Sequence, residues 1–135
     1  MTGRAAIESA LRDAYAARVR GDLDGVCRHF ADDATFAMAG STDASPVPVR
    51  CEGCDTIRGA MSGLIAGFRF IDHQILSIIV EGSRAAVHAR LRVRSEATGK
   101  EEVTETADLV TFKDGKIASF VQFCDTAMAA KLVGA

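Results

Sequence analysis

Apolar side chains recur at helical spacing near the start of the chain. Ile7, Leu11, Ala14, Tyr15 and Val19 share one stripe, which predicts a helix over residues 4–20. Gly21-Asp22 ends it, and Asp22 is placed to cap a second, short helix in which Leu23, Val26, Cys27 and Phe30 repeat at i, i+3, i+4 and i+7. Asp32-Asp33 breaks that pattern, and Thr35-Phe36-Ala37-Met38 reads as a short strand. Residues 39–48 have loop composition and hold both prolines, either as a mobile lid or as a plain connection. Val49-Arg50-Cys51 reads as a strand stub and Gly53 as a turn. Asp55 or Thr56 then caps a third helix that carries Ile57, Met61, Leu64 and Phe68.

After residue 70 the period changes to two. Strands are expected over residues 74–81, 86–95, 102–112 and 117–124. Lys113-Asp114-Gly115-Lys116 is a strong hairpin turn, and Asp125-Thr126 can cap a closing helix through Leu132. Helices first and an antiparallel meander second define an α+β class, read as one domain over residues 1–135.

The strand faces decide what is inside. Val87, Ala89, Leu91 and Val93 alternate with His88, Arg90, Arg92 and Arg94, so one face is apolar and the other cationic. The cationic face either meets an acidic partner or pairs with Glu101, Glu102 and Glu105 on the next strand. That next strand has no cleanly apolar face. Val103, Glu105, Ala107, Leu109 and Thr111 lie on one side, with Thr104, Thr106, Asp108, Val110 and Phe112 on the other. Such a sheet covers something on both faces: a cavity on one, a subunit partner on the other. Asp108 in this setting is paired, solvated or protonated, because a lone buried carboxylate is costly. In the last strand Phe120, Gln122 and Cys124 share a face, and the amide can orient a ligand or satisfy backbone groups.

Charge and composition narrow the partners. The chain carries 16 basic and 18 acidic residues, for a net charge of −2, with no Trp and one Tyr. Nucleic acid is not expected as a partner. No apolar run reaches membrane length and the start has no apolar leader, so no membrane association and a cytoplasmic location are expected. Four Cys are then more naturally thiols than disulfides. Cys51-Glu52-Gly53-Cys54 is a C-x-x-C that is structural, redox-active or, with Cys27 or His29, metal-binding; the expected assignment is structural, with no metal and no cofactor. Asp72-His73 opens a strand, where neighbours point to opposite faces, so His73 alone is a candidate base at a pocket mouth. His29 and His88 read as structural or exposed, Asp33 as a turn residue and Asp125 as a cap.

Gly21-Asp22-Leu23-Asp24, Phe30-Ala31-Asp32-Asp33-Ala34-Thr35, Gly53 with Ile57, and the run from Asp108 to Ile117 occur in an order and spacing that resemble the ketosteroid-isomerase/SnoaL-like superfamily, with the nuclear transport factor 2-like fold. The resemblance implies a curved antiparallel sheet wrapped around the N-terminal helices as a cone with a central apolar pocket. It implies that Val87, Ala89, Leu91, Asp108, Val110, Phe120, Gln122 and Cys124 face that pocket, with Tyr15, Phe30, Met38, Met61 and Leu64 around it. It also implies a homodimer built sheet to sheet.

In ketosteroid isomerases a protonated strand Asp and a helix Tyr hold a dienolate oxygen. Asp108 falls on that Asp. Tyr15 falls near that Tyr, one residue closer to Gly21 than the family pattern. Met38 stands where the general base would be, which argues against steroid isomerisation by that route. The expectation is a cofactor-free protein that binds a small apolar ligand with a carbonyl or hydroxyl group. As an enzyme it would isomerise, cyclise or dehydrate a carbonyl compound, with Asp108, Tyr15 and His73 as acid–base residues and Gln122 and Thr106 orienting the substrate. The alternatives are a non-catalytic ligand-binding module and a dimerising interaction domain.

Overall fold

The computed structural model describes residues 3–44 and 47–134. Ser45 and Pro46, part of the stretch read as lid or connection, lie outside the described residues. The elements are α1 (Arg4–Arg20), α2 (Leu23–Cys27), β1 (Phe30–Met38), β2 (Val49–Glu52), α3 (Cys54–Gly67), β3 (Phe68–Glu81), β4 (Arg84–Ser95), β5 (Glu101–Lys113), β6 (Lys116–Phe123) and α4 (Thr126–Leu132). The strands form one sheet in the order β2-β1-β6-β5-β4-β3. No helix among the described residues is long and apolar enough to cross a membrane.

The fold class is α+β, as expected, but the sheet is mixed rather than antiparallel throughout. The meander β3 to β6 is antiparallel, whereas β1 joins β6 in parallel, with Phe36 opposite Phe120 and Met38 opposite Gln122. The meander fixes the direction of β6, and β1 enters from the α1–α2 pair running the same way. A parallel ladder is allowed here because the long crossover through α3 and the meander separates the two strands in sequence.

Several boundaries differ from the periodicity reading. The second helix stops at Cys27, and Phe30 opens β1 instead of closing that helix. Asp32-Asp33 lies within β1, where the ladder to β6 shifts register between Phe30 and Thr35, so both carboxylates stay exposed. Asp33 is therefore a strand residue at an irregularity. α3 starts at Cys54 with Gly53 as N-cap at φ 89°, and neither Asp55 nor Thr56 caps it. Phe68 belongs to β3, which begins six residues before the expected Gln74 and absorbs two register shifts. Elsewhere local chemistry matches the backbone. Asp114 and Gly115 both have positive φ, as the tight β5–β6 hairpin requires. Asp22 and Asp125 cap α2 and α4 by accepting from Gly25 and Met128 N–H.

The core lies between α1 and the concave face of the sheet. Ile7, Leu11, Ala14, Tyr15 and Arg18 form the buried stripe of α1. On β4 the buried residues are Ala85, Val87, Ala89, Leu91 and Val93, and the intervening His88, Arg90, Arg92 and Arg94 face out. Those side chains pair across the outer face: His88 and Arg90 with Glu105, Arg92 and Arg94 with Glu101. Glu102 makes no such pair among the described residues. It stands opposite Val93, on the row of the inner face.

Replacing Asp22 with Ala removes the acceptor for the Gly25 N–H, and α2, at five residues, has little else to hold its first turn. The expected cost is about 1 kcal/mol, read as a lower urea midpoint with an unchanged slope.

Candidate functional site

The space left between α1, α3, α4 and the concave sheet is a cavity of about 110 Å³. That is room for a small molecule rather than a single water. Its wall is mostly aliphatic and aromatic. Of the expected lining residues, Tyr15, Phe30, Met38, Met61, Leu64, Leu91, Thr106, Phe120, Gln122 and Cys124 line it.

Four of the strand residues expected to face the cavity do not line it. Val87 and Val110 are fully packed in the main core with Ile7 and Leu11 of α1, which fills that end of the sheet. Ala89 has only a methyl group, and its larger neighbours Leu91 and Thr106 form the wall. Asp108 has no exposed surface and sits behind the wall.

Two residues that line the cavity hold Asp108 in place. The Tyr15 hydroxyl donates to its Oδ2 at 2.6 Å, and the Gln122 amide donates to its Oδ1 at 3.1 Å. Gln122 is the cross-strand neighbour of Asp108, whereas Tyr15 reaches it from α1. Burial pushes the Asp108 carboxyl up to about 6, against the opposing pull of these two donors. Burial, and then the adjacent Asp108 charge, pushes the Tyr15 phenol well above its usual range. At neutral pH the arrangement is thus a neutral phenol donating to a carboxylate, a strong charge-assisted bond.

His73 does not line the cavity. Its ring stacks on Tyr15 at 4.5 Å between centroids, backed by Phe70 at 6.1 Å, and burial lowers its pKa. Its neighbour Asp72 is exposed, so the pair divides between the two faces of β3. His73 fixes one side of the tyrosine ring rather than facing the open space. His29 pairs with Asp13 at 2.7 Å, outside the site. Cys51 and Cys54 are half-buried free thiols away from the cavity; Cys54 Sγ lies 3.9 Å from a carboxylate oxygen of Asp32 and of Asp55. Among the described residues no cluster of three or more His, Cys, Asp or Glu side chains is placed to hold a metal ion.

The wall also contains residues that were not among the expected lining. Phe36, Phe68, Phe70, Val93, Thr104, Met128 and Leu132 line it, as does Arg18. Arg18 is 9% exposed. The signal for it was present: Arg18 follows Leu11, Ala14 and Tyr15 by seven, four and three residues, and so falls on their stripe. Val19, assigned to that stripe, is only half-buried.

The sequence matches the family model described as the SnoaL-like domain over residues 11–120. No curated protein matches it. Among solved structures it is similar to a Bacillus subtilis protein provisionally named an isomerase, at 14% identity and TM-score 0.89, covering 99% of this chain and 96% of that one. It is also similar to an NTF2-like protein of unknown function from Burkholderia pseudomallei, at 20% identity and TM-score 0.81, covering both chains fully. A third is an LEH-like epoxide hydrolase of M. tuberculosis, at 14% identity and TM-score 0.72, covering 91% of this chain and 87% of that one. These likenesses establish the nuclear transport factor 2-like fold.

The raised Asp108 carboxyl has a stability signature. The folded state holds its proton up to about pH 6, whereas an unfolded Asp releases it near 3.8. The folded state therefore binds more protons between these values, so its contribution to stability falls as pH rises from about 4 to about 6 and is flat above. His73, with a lowered pKa, acts in the opposite sense below pH 6.5, and the lowered Asp13 and Asp22 act below pH 3.8. The clean measurement is the difference in unfolding free energy between wild type and Asp108→Asn. That difference should fall across pH 4–6 and then level off; a flat difference would mean an ordinary ionised carboxylate.

Proposed function

The chain belongs to the SnoaL-like domain family, and from that premise we propose that it binds an apolar small molecule carrying a carbonyl or hydroxyl oxygen in the cavity under α1. One observation carries this reading. Two polar groups on an otherwise largely apolar wall, the Tyr15 hydroxyl and the Gln122 amide, are both held by a carboxyl with no exposed surface. Fixing two wall groups on one buried acid sets the orientation of any oxygen that docks against them.

The same contacts suggest how the site responds to its ligand. While Asp108 is ionised, the Tyr15 proton points at it. When Asp108 takes up a proton it becomes a donor to the Tyr15 oxygen, and the phenolic O–H is free to turn to a ligand oxygen. A carboxyl raised to about 6 makes this second state accessible near neutral pH, and an oxyanion in the cavity favours it further. A pair prepared in this way stabilises negative charge on oxygen.

Proton-transfer chemistry on a carbonyl compound, whether isomerisation, cyclisation or dehydration, is the finer form of the reading, with Asp108 acting through Tyr15. It needs a base as well as a donor. Met38 lines the cavity where the resemblance would put that base, and His73 is turned into a stack against Tyr15. These two placements favour binding over turnover.

A second copy of the chain is the proposed partner on the outer face of the sheet. Ile79, Ala86, Leu109 and Val121 are in register across β3 to β6, and Ile79 and Leu109 are 64% and 50% exposed. Glu81 and Arg84 stand in the next row on one side; on the other, Arg90 and Glu105 follow after the row of Ser77, His88, Ala107 and Phe123. A two-fold pairing would bury the apolar row against itself. Sedimentation velocity should show a dimer that Leu109→Glu converts to a monomer with an unchanged circular dichroism spectrum. A monomeric wild type would remove the proposal.

The ligand reading is tested by fluorescence titration with 2-naphthol. Wild type should bind it. Tyr15→Phe should weaken binding about tenfold, the equivalent of one hydrogen bond of about 1.4 kcal/mol, and Leu91→Trp, which fills the cavity, should abolish it. Equal affinity in wild type and Tyr15→Phe would reduce the site to apolar contact alone.

A further inference from the structure

Arg18 has no part in the Tyr15–Asp108 contact, yet it projects from the same helix one turn further on and lines the same cavity. Its Nη2 donates to the carbonyl oxygens of Leu64 and Phe68, at 3.1 and 2.5 Å. Its guanidinium lies over the Phe70 ring, 3.9 Å from the centroid. Together these fix the plane and position of the group at the junction of α3 and β3. No carboxylate lies within ion-pair distance among the described residues, in contrast to Arg28 with Asp13, Arg58 with Asp24 or Arg92 with Glu101.

The two carbonyl contacts explain Arg18 only in part. They use one nitrogen of a group with five N–H donors. Nη1 and Nε make no hydrogen bond among the described residues, and no fully enclosed polar side-chain atom there lacks a partner. These two nitrogens therefore keep accessible surface. Burial lowers the guanidinium only to about 10, so it is cationic at neutral pH. The two carbonyls at the end of α3 and the Phe70 ring offset part of that charge, but no anion among the described residues completes it. A neutral Gln or Met would serve the packing without that cost.

We propose that the Nη1–Nε edge of Arg18 is an anion site within this cavity, and that the ligand is an organic monocarboxylate with an apolar body. The carboxylate accepts from the planar guanidinium fork, the geometry for which arginine is suited. The apolar body lies along Leu91, Val93, Phe68 and Leu132, which form the wall next to Arg18. This rests on the cavity being a ligand site, as proposed above, and adds the charge of the ligand.

The test compares two probes of similar shape, 2-naphthoate and the neutral ketone 2-acetonaphthone, titrated into the full chain at pH 7.5. Wild type should bind the carboxylate at least tenfold more tightly than the ketone. Arg18→Gln should bring the ratio of carboxylate to ketone affinity down to about one, whatever it does to the two affinities together; a ratio unchanged from wild type overturns the anion site. Arg18→Lys, which keeps the charge and loses the fork, should retain only part of the preference and covers the case in which Arg18→Gln does not fold. A wild type that binds both probes equally, or prefers the ketone, overturns the anion site and leaves the cavity reading standing. A wild type that binds neither overturns both. A residue serving only to tie α3 to β3 would produce no preference between the probes in the wild-type protein.

Discussion

The 2.6 Å hydrogen bond from Tyr15 to Asp108 joins the first helix to the middle of the sheet, through a carboxyl that touches no solvent. A carboxyl so placed survives only if its oxygens are met by donors. Gln122 meets one from the adjacent strand, and Tyr15 meets the other from across the core. The register of β5 against β6 and the rotation of α1 about its own axis are tied to this one acid. A turn of α1 that buried Val19 in place of Tyr15 would leave one oxygen of a buried carboxylate without a donor, so the polar contact selects among packings that hydrophobicity alone would allow. His73 and Phe70, stacked behind the tyrosine, reinforce the same rotation.

That rotation also sets the chemistry of the cavity. Tyr15 and Arg18 are three residues apart on α1, so fixing one places the other on the same wall. The result is a cavity with two polar poles. One is a phenol backed by an acid, and the other is a guanidinium held over Phe70 by backbone carbonyls. Between them lie Leu91, Thr106 and Phe120, which supply apolar contact and one hydroxyl. A ligand with a polar end and an apolar body fits this division better than one that is polar throughout.

Much of the fold was legible because it depends on local signals. The capping Asp22 and Asp125, the Asp114-Gly115 hairpin and the alternation of β4 each act within a few residues, and each appears in the structure where the sequence places it. The misread boundaries arise where a tertiary contact overrides the local pattern. Asp32-Asp33 looks like a helix stop but is carried through β1 by pairing with β2 and β6. Phe68 looks like the end of a helix, but it and the residues that follow are drawn into β3 by the ladder to β4. In the site, alternation put Thr104 and Thr106 of β5 on one face and Phe120 and Gln122 of β6 on another, and these line the cavity. It could not show that α1 fills the end of the sheet near Val87 and Val110, because that depends on where the helix crosses. Arg18 carries no local sign of burial, because a cation at the edge of an apolar stripe is ordinarily solvated. Its burial is visible only once the carbonyls of Leu64 and Phe68 and the Phe70 ring are brought to it from residues 46 to 52 positions away.

A cavity is a feature that folding alone would remove. On the concave side of the sheet about 110 Å³ is instead kept clear of side chains. The void is framed by small side chains, Ala14 on α1 and Ala129 on α4, where Leu or Met would close it. The same region also retains a cation without a counter-charge and an acid raised toward neutrality. Under the reading proposed above, the three lie along one face of α1, where an apolar molecule would occupy the cavity and an acidic end would supply the counter-charge that Arg18 lacks.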